Sequence, residues 1–254
     1  MEHFVKKIIL FFLVLIFFIF IIFLLFPKKI ENKVTQTIDK IQEVKETITL
    51  KPTKILESGL PNKYLIKAAF VQQSPEKNWD EPWQDACEEA SLLTVDYFYK
   101  NISSITVEEN RDAILEMIEF ENTQNFTSDM NISQMTIVAQ NYLNYQTKII
   151  NNPTVDDIKK YISQNIPIIV PASGKILYQE NKHFNSGGPY YHNLIILGYD
   201  NDKQQFIVHD VGTKAGAYFK YSYDLLTESI HDFPASENKE DINSGEKRIL
   251  ILLK

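Results

Sequence analysis

A single cysteine, Cys87, in 254 residues excludes an intrachain disulfide and a multi-cysteine zinc site. Basic charge is also in short supply, with 26 Lys and Arg against 33 Asp and Glu and a net charge of −7. Residues 1–33 hold five Lys against Glu2 and Glu31, so residues 34–254 carry about −10. Sequence-independent binding to nucleic acid needs clustered Lys and Arg to displace phosphate counterions, and this body lacks them. No nucleic-acid partner is expected. The 13 Tyr and 16 Phe are therefore read as core rather than as a base-stacking platform. No internal repeat is present, and nothing in the chain resembles a transporter.

What the chain does contain is one long apolar run. Ile8 to Phe26 are 19 residues without a charge, seven of them Phe. As a helix they would span roughly 28 Å, close to the ~30 Å hydrocarbon core of a bilayer. Lys6 and Lys7 precede the run, and Lys28 and Lys29 follow Pro27. The run ends Leu24-Leu25-Phe26-Pro27, without the small residues that a signal peptidase requires. The expectation is an uncleaved single-pass anchor at 8–26 after a short tail at 1–7. Lys counts on the two flanks are nearly equal, so orientation rests on the short tail and the large acidic body, which favour an extracytoplasmic domain at the cell membrane.

Residues 27–60 are rich in Lys, Glu, Thr and Ile, and none is aromatic. Val34, Ile38, Ile41 and Ile48 share one helical side, but Lys45 interrupts that seam. The segment reads as a polar stalk, and 61–254 as the folded domain. Ala68 to Val71 suit a short strand, and Asp85 to Tyr99 a helix. Thr106 with Glu109, and Thr154 with Asp157, are capping patterns that open helices running to about Phe120 and Gln164. Ser133 to Leu143 is also read as helical. The second half turns to β-branched and aromatic runs at Ile166–Val170, Tyr191–Tyr199, Gln205–His209, Ala217–Tyr221 and Arg248–Leu253, with a hairpin turn around Asp200-Asn201-Asp202-Lys203. Helices first and strands second predict an α+β domain.

Three residues could carry chemistry. Cys87 sits where a loop enters a helix, and a helix start stabilises a thiolate. Asp85, Glu88 and Glu89 crowd the same place and act in the opposite direction, so an inert buried thiol is the competing reading. His192 opens an apolar strand, where burial without a partner is costly. Asp210 closes the next strand, and an antiparallel hairpin returns it to His192. A purely structural His–Asp hydrogen bond and a catalytic one are both compatible with that placement. His183, His209 and His231 are read as surface or loop residues. A zinc site from Cys87, His192 and Asp210 finds no compact His pair to support it. No metal or organic cofactor is expected.

The order Cys at a helix start, His heading a strand, Asp ending the next strand resembles the papain-like cysteine peptidases. More narrowly, the chain is similar to the bacteriocin-processing, double-glycine leader peptidases of cysteine peptidase family thirty-nine and their standalone relatives. The segments that carry the likeness are Phe70-Val71-Gln72-Gln73-Ser74-Pro75, Asn78 through Ser91, Tyr191-His192-Asn193 through Gly198-Tyr199-Asp200, and Val208-His209-Asp210, within about residues 64–235. The resemblance implies a papain-like fold, with Cys87 as nucleophile, His192 as general base and acid, and Asp210 orienting the imidazole. It also implies a Gln that donates to the oxyanion, best matched by Gln73, with Gln84 as the alternative. Glu88 is a departure, because many relatives carry Gly directly after the Cys. The expected partner is a peptide or protein substrate. An inactive papain-like domain that binds a peptide, and a cell-wall amidase or transpeptidase, are the alternatives.

Overall fold

The structure is a computed structural model that describes residues 59–254. The expected tail (1–7), transmembrane helix (8–26) and all but the last two residues of the stalk (27–60) lie outside the described residues. Among the described residues, no helix is long and apolar enough to cross a membrane.

The helical part comes first. Helix α1 (Cys87–Lys100) follows a 3-10 turn at Trp83–Asp85, and α2 (Val107–Thr123) and α3 (Ile132–Asn141) follow α1. Thr106 caps α2 through a reciprocal bond with Glu109, and Asn131 does the same for α3 with Gln134. Asn101 ends α1 in the left-handed conformation at φ 58°, a position Asn tolerates. Cys87 through Tyr97 are buried without a break, although several are polar. Ser91 and Thr94 donate their hydroxyls to the carbonyls of Cys87 and Ala90, at 2.7 and 2.8 Å. Such local bonds let a polar helix sit inside a core.

The strands are β1 (Lys63–Leu65), β2 (Gln146–Asn151), β3 (Ile168–Ser173), β4 (Tyr191–Asp200), β5 (Gln205–His209), β6 (Phe219–Ser222) and β7 (Arg248–Leu253). Short helices α4 (Val155–Ser163), α5 (Gly174–Leu177) and α6 (Tyr223–Ser229) lie between them. All pairings are antiparallel, in the order β2-β7-β3-β4-β5-β6, with β1 also on β4. The α+β expectation describes this mixed fold of helices and antiparallel sheet. Helix α1 packs against β4, where Leu194 to Leu197 are fully buried.

Two expectations differ from the structure. Ala68 to Val71 form no strand, and β1 and β2 stand where none was foreseen. Residues 66–73 run beside the sheet with scattered partners instead of a ladder. Ile66 N–H donates to Leu197 O at 2.7 Å, Ala68 N–H to the Tyr218 hydroxyl at 3.2 Å, and Gln73 N–H to Val211 O at 3.2 Å.

The β4–β5 hairpin contains one irregularity. Near the turn, Asp200 pairs with Gln205 and Gly198 with Ile207; farther along, Ile196 pairs with Val208 and Ile195 with His209. Leu197 is thus one residue more than β5 can match. Side chains alternate along a strand, so one extra residue exchanges the faces of everything beyond it. The shift sets His192 on the face that Asp210 shares. In unbroken register that face would have carried Asn193. At the bulge, a Cβ on Gly198 would lie 2.5 Å from Tyr64 O, so β1 can lie this close only because residue 198 has no side chain.

Candidate active site

A cleft of about 610 Å³ opens where the start of α1, the start of β4 and the loop after β5 converge. Cys87, His192 and Gln73 all line it, together with Phe184, Tyr191 and Gly212. Asp85 and Asp129 stand on its wall, as do Lys77 and Lys214. The exposed Trp79 also borders the cleft, so apolar and charged surfaces both face an incoming ligand.

His192 is 2% exposed, and its Nε2 lies 2.9 Å from Asp210 Oδ1. That bond directs the opposite nitrogen, Nδ1, which makes no hydrogen bond among the described residues. The ring meets Phe184 edge-on at 5.2 Å between centroids. Gly212 also lies close to the ring: a Cβ there would come within 2.7 Å of His192 Cε1 and 3.1 Å of Gln73 Oε1. The imidazole is clamped rather than loosely held.

Asp210 is fully buried and ringed by donors. Asn181 Nδ2 donates to its Oδ2 at 2.9 Å, and the Tyr221 hydroxyl donates to the same oxygen at 2.5 Å. Burial alone would raise its pKa, but His192, Tyr221 and Asn181 outweigh that and hold the carboxylate below its usual range. Asn181 and Tyr221 were not singled out from the sequence. They come from the loop after α5 and from β6, and no local pattern ties either to Asp210.

Cys87 is the first residue of α1, with Ala86 before it and no side-chain cap. The helix start would favour a thiolate, yet the thiol is pushed well up from its ordinary pKa. Burial is the main cause, followed by the charge and hydrogen bond of Glu88 and the charges of Asp129 and Glu89. The thiol donates to Glu88 Oε2 at 2.9 Å, and Asn193 Nδ2 approaches Sγ at 3.8 Å. His192 is not among its hydrogen-bond partners, although both line the cleft.

Gln73 is buried with its Nε2 donating to Trp83 O and Gln84 O, each at 3.1 Å, while Oε1 has no partner. It ties the segment after β1 to the turn that delivers Cys87. Gln84 is exposed, and its side chain is bonded to Glu81. Of the two, only Gln73 combines burial with a place in the cleft.

His209 corrects an expectation. Far from being a surface residue, it is fully buried on β5, facing away from Asp210's side of the sheet. Its Nε2 lies 3.2 Å from Ala68 O, and Nδ1 accepts the Tyr218 N–H at 3.1 Å. Burial pushes its pKa down to about 4, so it is a neutral structural imidazole. Among the described residues, no group of three or more His, Cys, Asp or Glu is placed to hold a metal ion.

The model of the Peptidase_C39 like family matches residues 66–238. Among solved structures, the chain is similar to a C39-like peptidase from Bacillus anthracis, with 14% identity over 76% of this chain and 98% of that one and a TM-score of 0.46. No curated protein matches the sequence.

Proposed function

The chain belongs to the Peptidase_C39 like family, and from that premise we propose that it is a cysteine peptidase, anchored in the cell membrane by residues 8–26 with its domain outside the cytoplasm. Cys87 is the nucleophile, His192 the base and acid, and Asp210 the group that orients the imidazole. The observation that carries this reading is the His192–Asp210 pair, 2.9 Å apart, in a cleft that the Cys87 thiol also lines.

Each chemical step has a group to perform it. The thiol proton passes to His192 Nδ1, and Sγ attacks the carbonyl carbon of the scissile amide. Negative charge then develops on the carbonyl oxygen, beside the unpaired N–H groups of the first turn of α1. Gln73 can add its amide once it gives up one of its two backbone carbonyls. His192 returns the proton to the leaving amine, which departs and leaves a thioester on Cys87. Water, deprotonated by His192, attacks the thioester and frees the acid and the thiol. Asp210 keeps its charge throughout and favours the imidazolium.

Hydrolysis of a fluorogenic peptide library by the full-length chain tests this, with Cys87→Ala and His192→Ala as controls. Cleavage lost in both variants supports the peptidase. Binding of a peptide without cleavage, unaffected by Cys87→Ala, supports the binding-domain alternative, which the Glu88-bound thiol favours. Release of amines from cell-wall peptides alone supports an amidase or transpeptidase using the same three residues.

A further inference from the structure

Glu88 is the residue of the site that the peptidase chemistry leaves without a task. It is fully buried directly beside the nucleophile. Its two oxygens have different partners: Oε1 accepts the Met130 N–H at 2.9 Å, and Oε2 accepts the Cys87 thiol at 2.9 Å. Met130 is fixed in turn, because its carbonyl accepts the Tyr191 hydroxyl at 2.8 Å. The carboxyl therefore has one anchored oxygen and one aimed at sulfur.

We propose that Glu88 is a positioning residue that holds the Cys87 sulfur as a neutral, hydrogen-bonded thiol in the resting protein. The proposal rests on the peptidase reading for its meaning, since a held nucleophile matters only where there is one to release. Burial, then the charges of Glu89 and Asp129, push Glu88 up, while its bonds to Cys87 and Met130 act the other way. Glu89 adjoins it on α1, Glu121 approaches from α2, and Asp129 comes from the loop before α3. Tyr191, from β4, feels the charges of both Glu88 and Asp232. Asp85 and Asp129 share Lys239, at 3.4 and 3.5 Å, but no cation forms an ion pair with Glu88 among the described residues. Glu88 is itself pushed well up by burial and by the charges of Glu89 and Asp129, so this buried group resists any further negative charge, and the proton stays on sulfur until the contact with Glu88 is broken.

A purely structural role would be complete with Met130 alone. Any side chain with one acceptor of the right length would satisfy that N–H, and Gln has one. Glu88→Gln therefore separates the two functions. The amide oxygen keeps Met130, while the amide nitrogen presents a donor to sulfur where the carboxyl oxygen Oε2 had accepted.

Because Cys87 is the only cysteine, thiol alkylation of the full-length chain reports on it alone. In the wild type, alkylation is expected to inflect above the free-thiol value of about 8.5. In Glu88→Gln the inflection is expected to fall, with about a tenfold faster reaction at neutral pH for each unit of fall. A Glu88→Gln profile that coincides with the wild type, or inflects higher, overturns the proposal. Should that variant fail to fold, the infrared S–H band of the wild type decides the matter. A band lowered from the free-thiol frequency and persisting at neutral pH supports a thiol that donates to the Glu88 carboxyl. An unshifted band, or none, overturns it. Neither readout uses a substrate, so failure to cleave peptides would count against the peptidase and not against the role of Glu88.

Discussion

The Tyr221 hydroxyl donates at 2.5 Å to Asp210 Oδ2, the oxygen that His192 leaves free. Asp210 thereby keeps its charge in a fully buried place, with one oxygen for the imidazole and one for the protein. Tyr221→Phe removes one of its three donors. The expected outcome is a loss of about 1–3 kcal/mol in stability, the usual range for a bond to a buried charge. Asp210, now held below its ordinary 3.8, should also titrate higher. A group with a lowered folded pKa contributes stability above its unfolded value and loses it as pH falls through the folded one. Acid unfolding of Tyr221→Phe should therefore begin at higher pH than that of the wild type, as circular dichroism would show. Identical acid transitions would refute the claim.

Gly212→Ala should harm the site more than the fold. The added Cβ would meet His192 Cε1 at 2.7 Å and Gln73 Oε1 at 3.1 Å, so the imidazole must shift. Peptide hydrolysis is expected to fall by about a hundredfold, in line with the cost of ångström-scale misplacement of a reacting group. Thermal melting tells a displaced ring from an unfolded chain. Full activity would show that the clamp on His192 is dispensable.

A buried carboxyl pair predicts an alkaline weakness. Glu89 on α1 and Glu121 on α2 each have an oxygen without a hydrogen-bond partner, and burial raises both, Glu89 to about 7 and Glu121 to about 11. Such groups contribute their stability below the unfolded value of 4.5 and lose it as pH rises through the folded values. Melting temperature should fall between pH 5 and pH 8 in the wild type. The fall should be smaller in Glu121→Gln, whose amide donates to Glu89 without a shared proton. Parallel pH dependences in the two proteins would contradict this.

His209 predicts a separate acid-side effect. Its folded pKa of about 4 lies below the ordinary 6.5, so its stability is complete above 6.5 and lost as pH falls toward 4. His209→Ala should cost about 2–4 kcal/mol through the cavity and the lost bonds. It should leave the alkylation profile of Cys87 unchanged, because the imidazole lies on the other face of β5. A shifted profile would instead tie His209 to the thiol.

Much of this domain could be read from local pattern. The capping pairs Thr106–Glu109 and Thr154–Asp157 mark helix starts because both partners of each bond lie within four residues. The Asp200–Gln205 turn is equally local. Non-local placement was not legible: β7, last in the chain, pairs with both β2 and β3, and no short-range signal encodes that. His209 looked like a surface residue because its partners Ala68 and Tyr218 belong to irregular backbone. The acidic residues beside Cys87 were visible in the sequence. That Glu88 points inward, onto sulfur and Met130, follows from the unbroken burial of α1 from Cys87 to Tyr97, which its mixed composition does not announce.

The extra residue at Leu197 gives the hairpin something like a reading frame. Changes of length at the Asp200–Gln205 turn fall on the far side of the bulge and leave the site's pairing untouched. Loss of a single residue between His192 and the bulge would bring a neighbour of opposite parity to face Asp210, with every residue type still present in the sequence. A protein engineer could thus graft a longer specificity loop onto the turn at little risk to the His–Asp pair, whereas a one-residue edit within β4 would silence the site by phase alone.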